Sequence, residues 1–148
     1  MKKLLTIIAA FVITASATVF ANNETSAPAI VKSSFETKFG KTANVKWEKV
    51  LDVYVATFTN NSDDYKVYFS DEGEFLASSR YIPRSGLPET ISSVVKKRFP
   101  GSCVTQVLEF ASTTNGTSYY LVIANYKADL VVLATIDGKV SVIKKAKK

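Results

Sequence analysis

The sequence predicts an α+β protein whose helices lie on one face of an antiparallel sheet, and three features carry that expectation. Apolar residues recur at helical spacing in two short stretches, each opened by a proline: Val31, Phe35 and Phe39 after Pro28, and Ile91, Val94, Val95 and Phe99 after Pro88. Elsewhere apolar and polar residues alternate, as half-buried strands require. The turns between those strands are too short for parallel crossovers, so the sheet is antiparallel and the single-faced helices cover one side of it.

The chain opens on an export signal. Lys2 and Lys3 precede an uncharged apolar run from Leu4 to Phe20, and Val19-Phe20-Ala21 suits signal peptidase, which places cleavage after Ala21. An uncleaved anchor is the alternative, but the run is short for a bilayer and is interrupted by Thr14, Ser16 and Thr18. A terse, lysine-rich signal of this kind is bacterial in character, so the protein is expected in the periplasm or secreted, without a transmembrane span once cleaved. Residues 22–148 are about one domain in size.

Asn22 to Thr25 form a polar leader with Ser26, which offers a helix cap, and Gly40 stops the first helix. Strands follow. Val45 and Trp47 alternate with Lys46 and Glu48; Tyr54, Ala56 and Phe58 alternate with Val53, Val55 and Thr57; Tyr65, Val67 and Phe69 alternate with Lys66 and Tyr68. Asn60 to Asp64 and Asp71-Glu72-Gly73 are the intervening loops. The pattern then returns. Pro100-Gly101 stops the second helix, and strands at Val104 to Glu109, Tyr119 to Ala124 and Leu130 to Ala134 are separated by Thr113 to Gly116 and close on Asp137-Gly138. Phe99 follows Phe39 by 60 positions and Gly138 follows Gly73 by 65, which marks two tandem helix-plus-strand repeats, about 27–84 and 85–143, before a Lys-rich tail at 144–148.

The spacing of 65 maps Val67 and Phe69 onto Val132 and Ala134, beneath the helices, and so turns Val131 and Leu133 to the opposite face. Matching Tyr54, Ala56 and Phe58 to Tyr120, Val122 and Ala124 turns Tyr119, Leu121 and Ile123 away as well. Tyr68, Tyr119, Leu121, Ile123, Val131 and Leu133 are therefore the candidate partner-binding residues on a helix-free sheet face. The runs Tyr119 to Ala124 and Leu130 to Ala134 are apolar on both sides, where a solvated face would alternate. Such a face is covered by the protein itself, by a second copy in a homodimer, or by a protein or peptide of the envelope.

The net charge of +6 does not describe a basic surface. Two of those charges leave with the signal, and Lys144, Lys145, Lys147 and Lys148 carry the rest, so residues 22 to 143 are balanced and nucleic acid is not an expected partner. The tail is either a loose, solvated end or a surface tether to an anionic lipid or cell-wall polymer. Cys103, the single cysteine, allows no internal disulfide, and its apolar surroundings predict a buried thiol.

Catalytic chemistry is poorly supplied. The chain has no histidine, so neither a Ser/His/Asp nor a Cys/His site can be assembled. Asp63 and Asp64, and Asp71, Glu72 and Glu74, fall in expected turns, where acids serve as turn formers. Asn60 to Asp64 lacks the central glycine and closing glutamate of a calcium loop, and Gly73, Gly116 and Gly138 are isolated turn glycines rather than a phosphate loop. No metal, cofactor or enzymatic activity is expected. Trp47 shares a face with Val45 and is expected to pack on a helix.

Asn44-Val45-Lys46-Trp47-Glu48, Tyr54-Val55-Ala56-Thr57-Phe58, Val67-Tyr68-Phe69-Ser70-Asp71-Glu72-Gly73, Leu87-Pro88 and Asp137-Gly138-Lys139, taken in order, resemble the PepSY-like, β-lactamase-inhibitor-like family over essentially the whole mature chain. The resemblance implies exported proteins of tandem helix-plus-sheet repeats, similar to an inhibitor fold in which a sheet face receives a partner protein. Thr135-Ile136 before Asp137, where the first half has Phe69, departs from the pattern. The functional expectation is an exported, non-catalytic binding or inhibitory module that presents a sheet face to a protein or peptide. The alternative is an envelope-associated structural protein, tethered by Lys144, Lys145, Lys147 and Lys148 and self-associating through that face.

Overall fold

The computed structural model describes residues 26–126 and 128–147; the expected signal sequence with its cleavage point at Ala21, and Lys148, lie outside them. The elements run α1 (Ala29–Phe39), β1 (Lys46–Val50), β2 (Val53–Asn60), β3 (Asp63–Ser70), β4 (Phe75–Tyr81), a 3-10 turn (Arg84–Gly86), α2 (Glu89–Arg98), β5 (Cys103–Ser112), β6 (Gly116–Ala124), β7 (Ala128–Thr135) and β8 (Val140–Lys147). All eight strands form one antiparallel sheet whose spatial order is the chain order. The architecture is α+β, with both helices on one face.

Local chemistry sets the boundaries. Pro28 and Pro88 stand immediately before the two helices, with their fixed φ values of −56° and −53°. Ser26 is not the cap; its hydroxyl accepts a hydrogen bond from Lys32 Nζ at 2.9 Å. Gly40, at φ 77°, ends α1 and donates its N–H to the Glu36 carbonyl. Asn61 and Ser62 are both left-handed, at φ 50° and 71°, and form a two-residue turn between the paired Asn60 and Asp63. That tight turn leaves Asp63 and Asp64 in β3 rather than in the loop the sequence predicts.

Two strands escape the sequence reading. β4, Phe-Leu-Ala-Ser-Ser-Arg-Tyr, is small and polar at its centre and carries a bulge that breaks its alternation against Tyr68 and Phe69. β8 holds the lysine run, so Lys144, Lys145 and Lys147 are not a loose tail; they pair in register with Val131, Leu130 and Ala128. Paired backbone, not side-chain polarity, decides whether a terminal segment is ordered.

Each helix covers its own half of the sheet. Val31 and Phe35 of α1 pack on Tyr54, Ala56, Phe58, Val67 and Phe69, with Phe35 in edge contact with Trp47 and Phe58 at 5.5 and 5.0 Å. Ile91 and Val95 of α2 pack on Val107, Leu121, Ile123, Val132 and Ala134. Full burial of such side chains stabilises by about 1.5–3 kcal/mol each. Cys103, by contrast, is exposed at the start of β5, where its Sγ accepts a hydrogen bond from Arg84 Nη1 at 3.0 Å. The neighbouring Val104, not the cysteine, turns toward α2.

The β3–β4 turn is docked under α1. Gly73 has φ 83°, and a Cβ there would meet Ser34 Oγ at 3.0 Å, the Ile30 carbonyl at 3.1 Å and Ile30 Cγ1 at 3.2 Å. Gly138, at the same φ, would meet only Val94 Cγ2 at 3.7 Å. Gly138→Ala is therefore expected to lose the left-handed backbone alone, about 1–2 kcal/mol. Gly73→Ala adds a displacement of α1 and is expected to cost about 2–4 kcal/mol. Denaturant unfolding of the two variants checks the difference; equal losses would show that the turn is not pressed against the helix.

Candidate functional site

The strand registers place Val53, Val55, Tyr68, Ala77, Leu108, Phe110 and Tyr120 on the face opposite the helices, where they form one apolar cluster. Tyr68 and Phe110 meet edge to face at 6.1 Å, and Phe110 and Tyr120 at 6.2 Å. Among the described elements none lies over this cluster. Its side chains nonetheless keep less than a tenth of their exposure, because the rings shield one another and half-buried Val50, Leu76 and Leu133 close the margins. The Tyr68 hydroxyl lies 3.4 Å from the buried Ser79 hydroxyl, which gives both a partner.

What this face offers to solvent lies around the shielded centre. Tyr81 is 52% exposed, and Val122, Val131 and Leu133 are half-buried. Beside Tyr68 and Tyr81 opens a hollow of about 720 Å³ whose walls include Lys46, Thr57, Lys66, Ser79 and Leu108. Asp64 and Arg80 also line it, and this mixture of apolar surface, hydroxyls and charges suits a docked side chain or loop.

Of the six candidate partner-binding residues, Tyr68, Val131 and Leu133 are on the helix-free face. Tyr119, Leu121 and Ile123 are not: they are buried against α2, because Tyr119 pairs with Ala134, Leu121 with Val132 and Ile123 with Leu130. The correction is one residue of register. Tyr119 follows Tyr54 by the same 65 positions that separate Val132 from Val67, whereas matching Tyr54 to Tyr120 slips the strand by one and reverses every side chain. A constant spacing would have placed Tyr120 on the open face. Tyr81 went unread because β4 lacks a clean pattern, whereas Leu108 and Phe110 lie in β5, which the sequence marks as a strand only to Glu109 and without assigning its faces.

The candidate tether residues take new places too. Lys144 and Lys145 are exposed on β8, Lys147 lies in the same strand, and Lys148 is outside the described residues. The acidic turn residues Asp71 and Glu72 are fully exposed and hydrogen-bond each other, which pushes the Asp71 carboxyl up and holds Glu72 down. Among the described residues, no three acidic or cysteine side chains gather where they would hold a metal ion.

On the helix side, between the two helix-covered cores, a polar network crosses the sheet. Arg80 Nε donates to Glu109 Oε2 at 2.8 Å, and its Nη1 reaches the Tyr65 hydroxyl at 3.1 Å and Asp63 Oδ2 at 3.3 Å. The Tyr119 hydroxyl donates to the other Glu109 oxygen at 3.5 Å. The Glu109 contact raises the Arg80 pKa further, so the guanidinium is a permanent charge.

A family model described as "Putative beta-lactamase-inhibitor-like, PepSY-like" matches residues 17–77 and again 52–141. Solved structures share the fold. A protein from Bacteroides eggerthii described as a putative periplasmic protein superposes with a TM-score of 0.71 at 18% identity, over 82% of this chain and 88% of that one. A DUF2874 family protein from Bacteroides uniformis gives 0.70 at 20% identity, over 82% and 89%. A BLIP-like protein from Bacteroides fragilis gives 0.66 at 12% identity, over 81% and 85%. No functionally curated protein matches the chain. Among the described residues no helix is long and apolar enough to cross a membrane.

Two outcomes follow from these contacts. Arg80→Ala leaves Glu109 without its strongest partner and is expected to cost about 1–3 kcal/mol, whereas Arg80→Met with Glu109→Met recovers most of that loss; a double-mutant cycle in denaturant measures both. Burial raises the pKa of Tyr68, Tyr119 and Tyr120 above 10.0, with Glu109 adding to the shift at Tyr119. The unfolded phenols release protons first, so stability is full below about pH 10 and declines as pH rises through that value toward the folded pKa values. Unfolding curves between about pH 9 and pH 11 should show the decline, and Tyr68→Phe with Tyr120→Phe should flatten it.

Proposed function

Since the chain belongs to the PepSY-like, β-lactamase-inhibitor-like family, we propose that it is an exported, non-catalytic binding module that receives a protein partner on the helix-free face of its sheet. The observation that carries this reading is the division of labour between the two faces: both helices cover one side, while the other keeps an aromatic centre with an exposed Tyr81 and an open hollow at its margin. A partner loop seated there meets Tyr81, Val131 and the hollow wall, while the close-packed rings beneath supply a rigid floor that needs no ordering on binding. The helix-and-four-strand order that occurs twice, together with the two overlapping matches to one family model, supports a tandem repeat as the origin of the broad sheet. The periplasmic description of a relative supports export, as does the amino-terminal signal pattern.

The second reading, an envelope-associated structural protein, keeps its candidate tether in another form: Lys144 and Lys145 are exposed cations on the paired strand β8 rather than on a loose end.

Capture from envelope extract distinguishes a docking face from an idle one. The mature chain should retain a partner that Tyr81→Lys and Val131→Lys each lose by about tenfold or more, the effect of removing an interface anchor. Both positions are accessible, so near-ultraviolet circular dichroism should show the variants folded. Undiminished capture by the two folded variants would remove the helix-free face from the binding surface.

A further inference from the structure

Among the described residues the sheet ends in two edges, β1 and β8, that no further strand covers, and they differ in character. β1 is five residues long, with Glu48 set between Lys46 and Lys49. β8 is eight residues long and carries only one sign of charge. Val142 and Ile143 are 43% and 40% exposed on it, followed by the exposed Lys144 and Lys145. The last turn of α2, Lys96-Lys97-Arg98, abuts its start, where Arg98 Nη1 donates to the Val140 carbonyl, and Lys139 stands in the turn before it. The carboxylates in the same region are Asp137, in that turn and hydrogen-bonded by Thr135, and Asp129, opposite Ala146 on β7. Cations outnumber acids there by a wide margin.

We propose that the outer edge of β8 is a second docking site, which takes an extended, acidic strand of another protein by strand addition. Past Val140, whose carbonyl Arg98 already holds, the outer row of β8 backbone groups supplies the hydrogen bonds, Val142 and Ile143 offer apolar surface at the bulge, and Lys144 and Lys145, set on opposite faces, each select an acid on its own side. A second copy of this chain is a poor occupant. It would bring two lysine-rich strands together, and the bulge that leaves Ile143 unpaired opposite Val131 and Val132 interrupts a matching register. An anionic membrane would use the charges but leave the backbone row unanswered. The site lies at the sheet edge and does not depend on the docking face proposed above.

The test uses the mature chain and a fluorescein-labelled peptide of alternating glutamate and valine, followed by anisotropy. Its lysine–valine counterpart should bind at least about tenfold more weakly, and so should the glutamate peptide N-methylated at every residue, which keeps the charge but loses the backbone donors of both edges. Lys144→Glu with Lys145→Glu should reverse the preference for charge. If that variant does not fold, the comparison of methylated and unmethylated peptides on the wild-type chain still decides. Equal binding of the two glutamate peptides would overturn strand addition in favour of charge alone. Binding to phosphatidylglycerol vesicles but not to the peptides would replace the strand with a lipid surface, and a dimer in analytical ultracentrifugation that excludes the peptide would replace it with a second copy.

Discussion

The pairing of β4 with β5 is the constraint on which the rest of the molecule depends. It is the join between the strands that follow α1 and those that follow α2, and without it the chain would fall into two four-stranded sheets with open edges. Its register sets Arg80 beside Glu109 on the helix side, and Ser79 beside Phe110 and Tyr81 beside Leu108 on the other. A slip of one residue would drive Arg80 into the Tyr68, Phe110 and Tyr120 cluster and strip it of Glu109. Desolvating an unpaired guanidinium costs several kcal/mol, so charge and apolar pattern enforce the same alignment. The network between the helix-covered cores therefore acts as a register key.

From that join the two faces acquire different tasks. Helix-side residues are committed to α1 or α2, and their contacts decide stability. Open-face residues must remain folded without a helix above them, and they do so by close aromatic packing at the centre, which leaves only the margin able to change partners. Tyr68 is on the open face yet nearly inaccessible, so it is better understood as floor than as contact; Tyr81, at the end of β4, is the accessible ring.

Much of the fold was legible in the sequence because it rests on local signals. Prolines before helices, glycines after them and the turns at Asp71-Glu72-Gly73 and Asp137-Gly138 act within a few residues, and the alternation of Tyr54, Ala56 and Phe58 or of Val67 and Phe69 names the face they cover. β4 was not legible because Ala77, Ser78 and Ser79 are small enough to lie flat between neighbouring strands and carry no apolar period. β8 was not, because backbone pairing with β7 outweighs a lysine run that reads as solvated tail. The candidate site was half legible for a sharper reason. In β6 and β7 both faces are apolar, so hydrophobicity cannot tell Tyr119 from Tyr120, and only an exact register separates core from surface.

That ambiguity follows from building one broad sheet with cores on both sides. Where a strand is covered above and shielded below, as at Leu121 between Tyr120 and Val122, polarity no longer marks orientation; it returns only at the edges, where water touches the backbone. Edge strands must then answer to a different rule. A free row of donors and acceptors invites any passing strand, and charge is the means by which a protein restricts that invitation. On β1, Lys46, Glu48 and Lys49 carry both signs and favour no partner by charge. On β8 the exposed charges are all lysines, which disfavours a second lysine-rich edge and favours a strand of opposite sign.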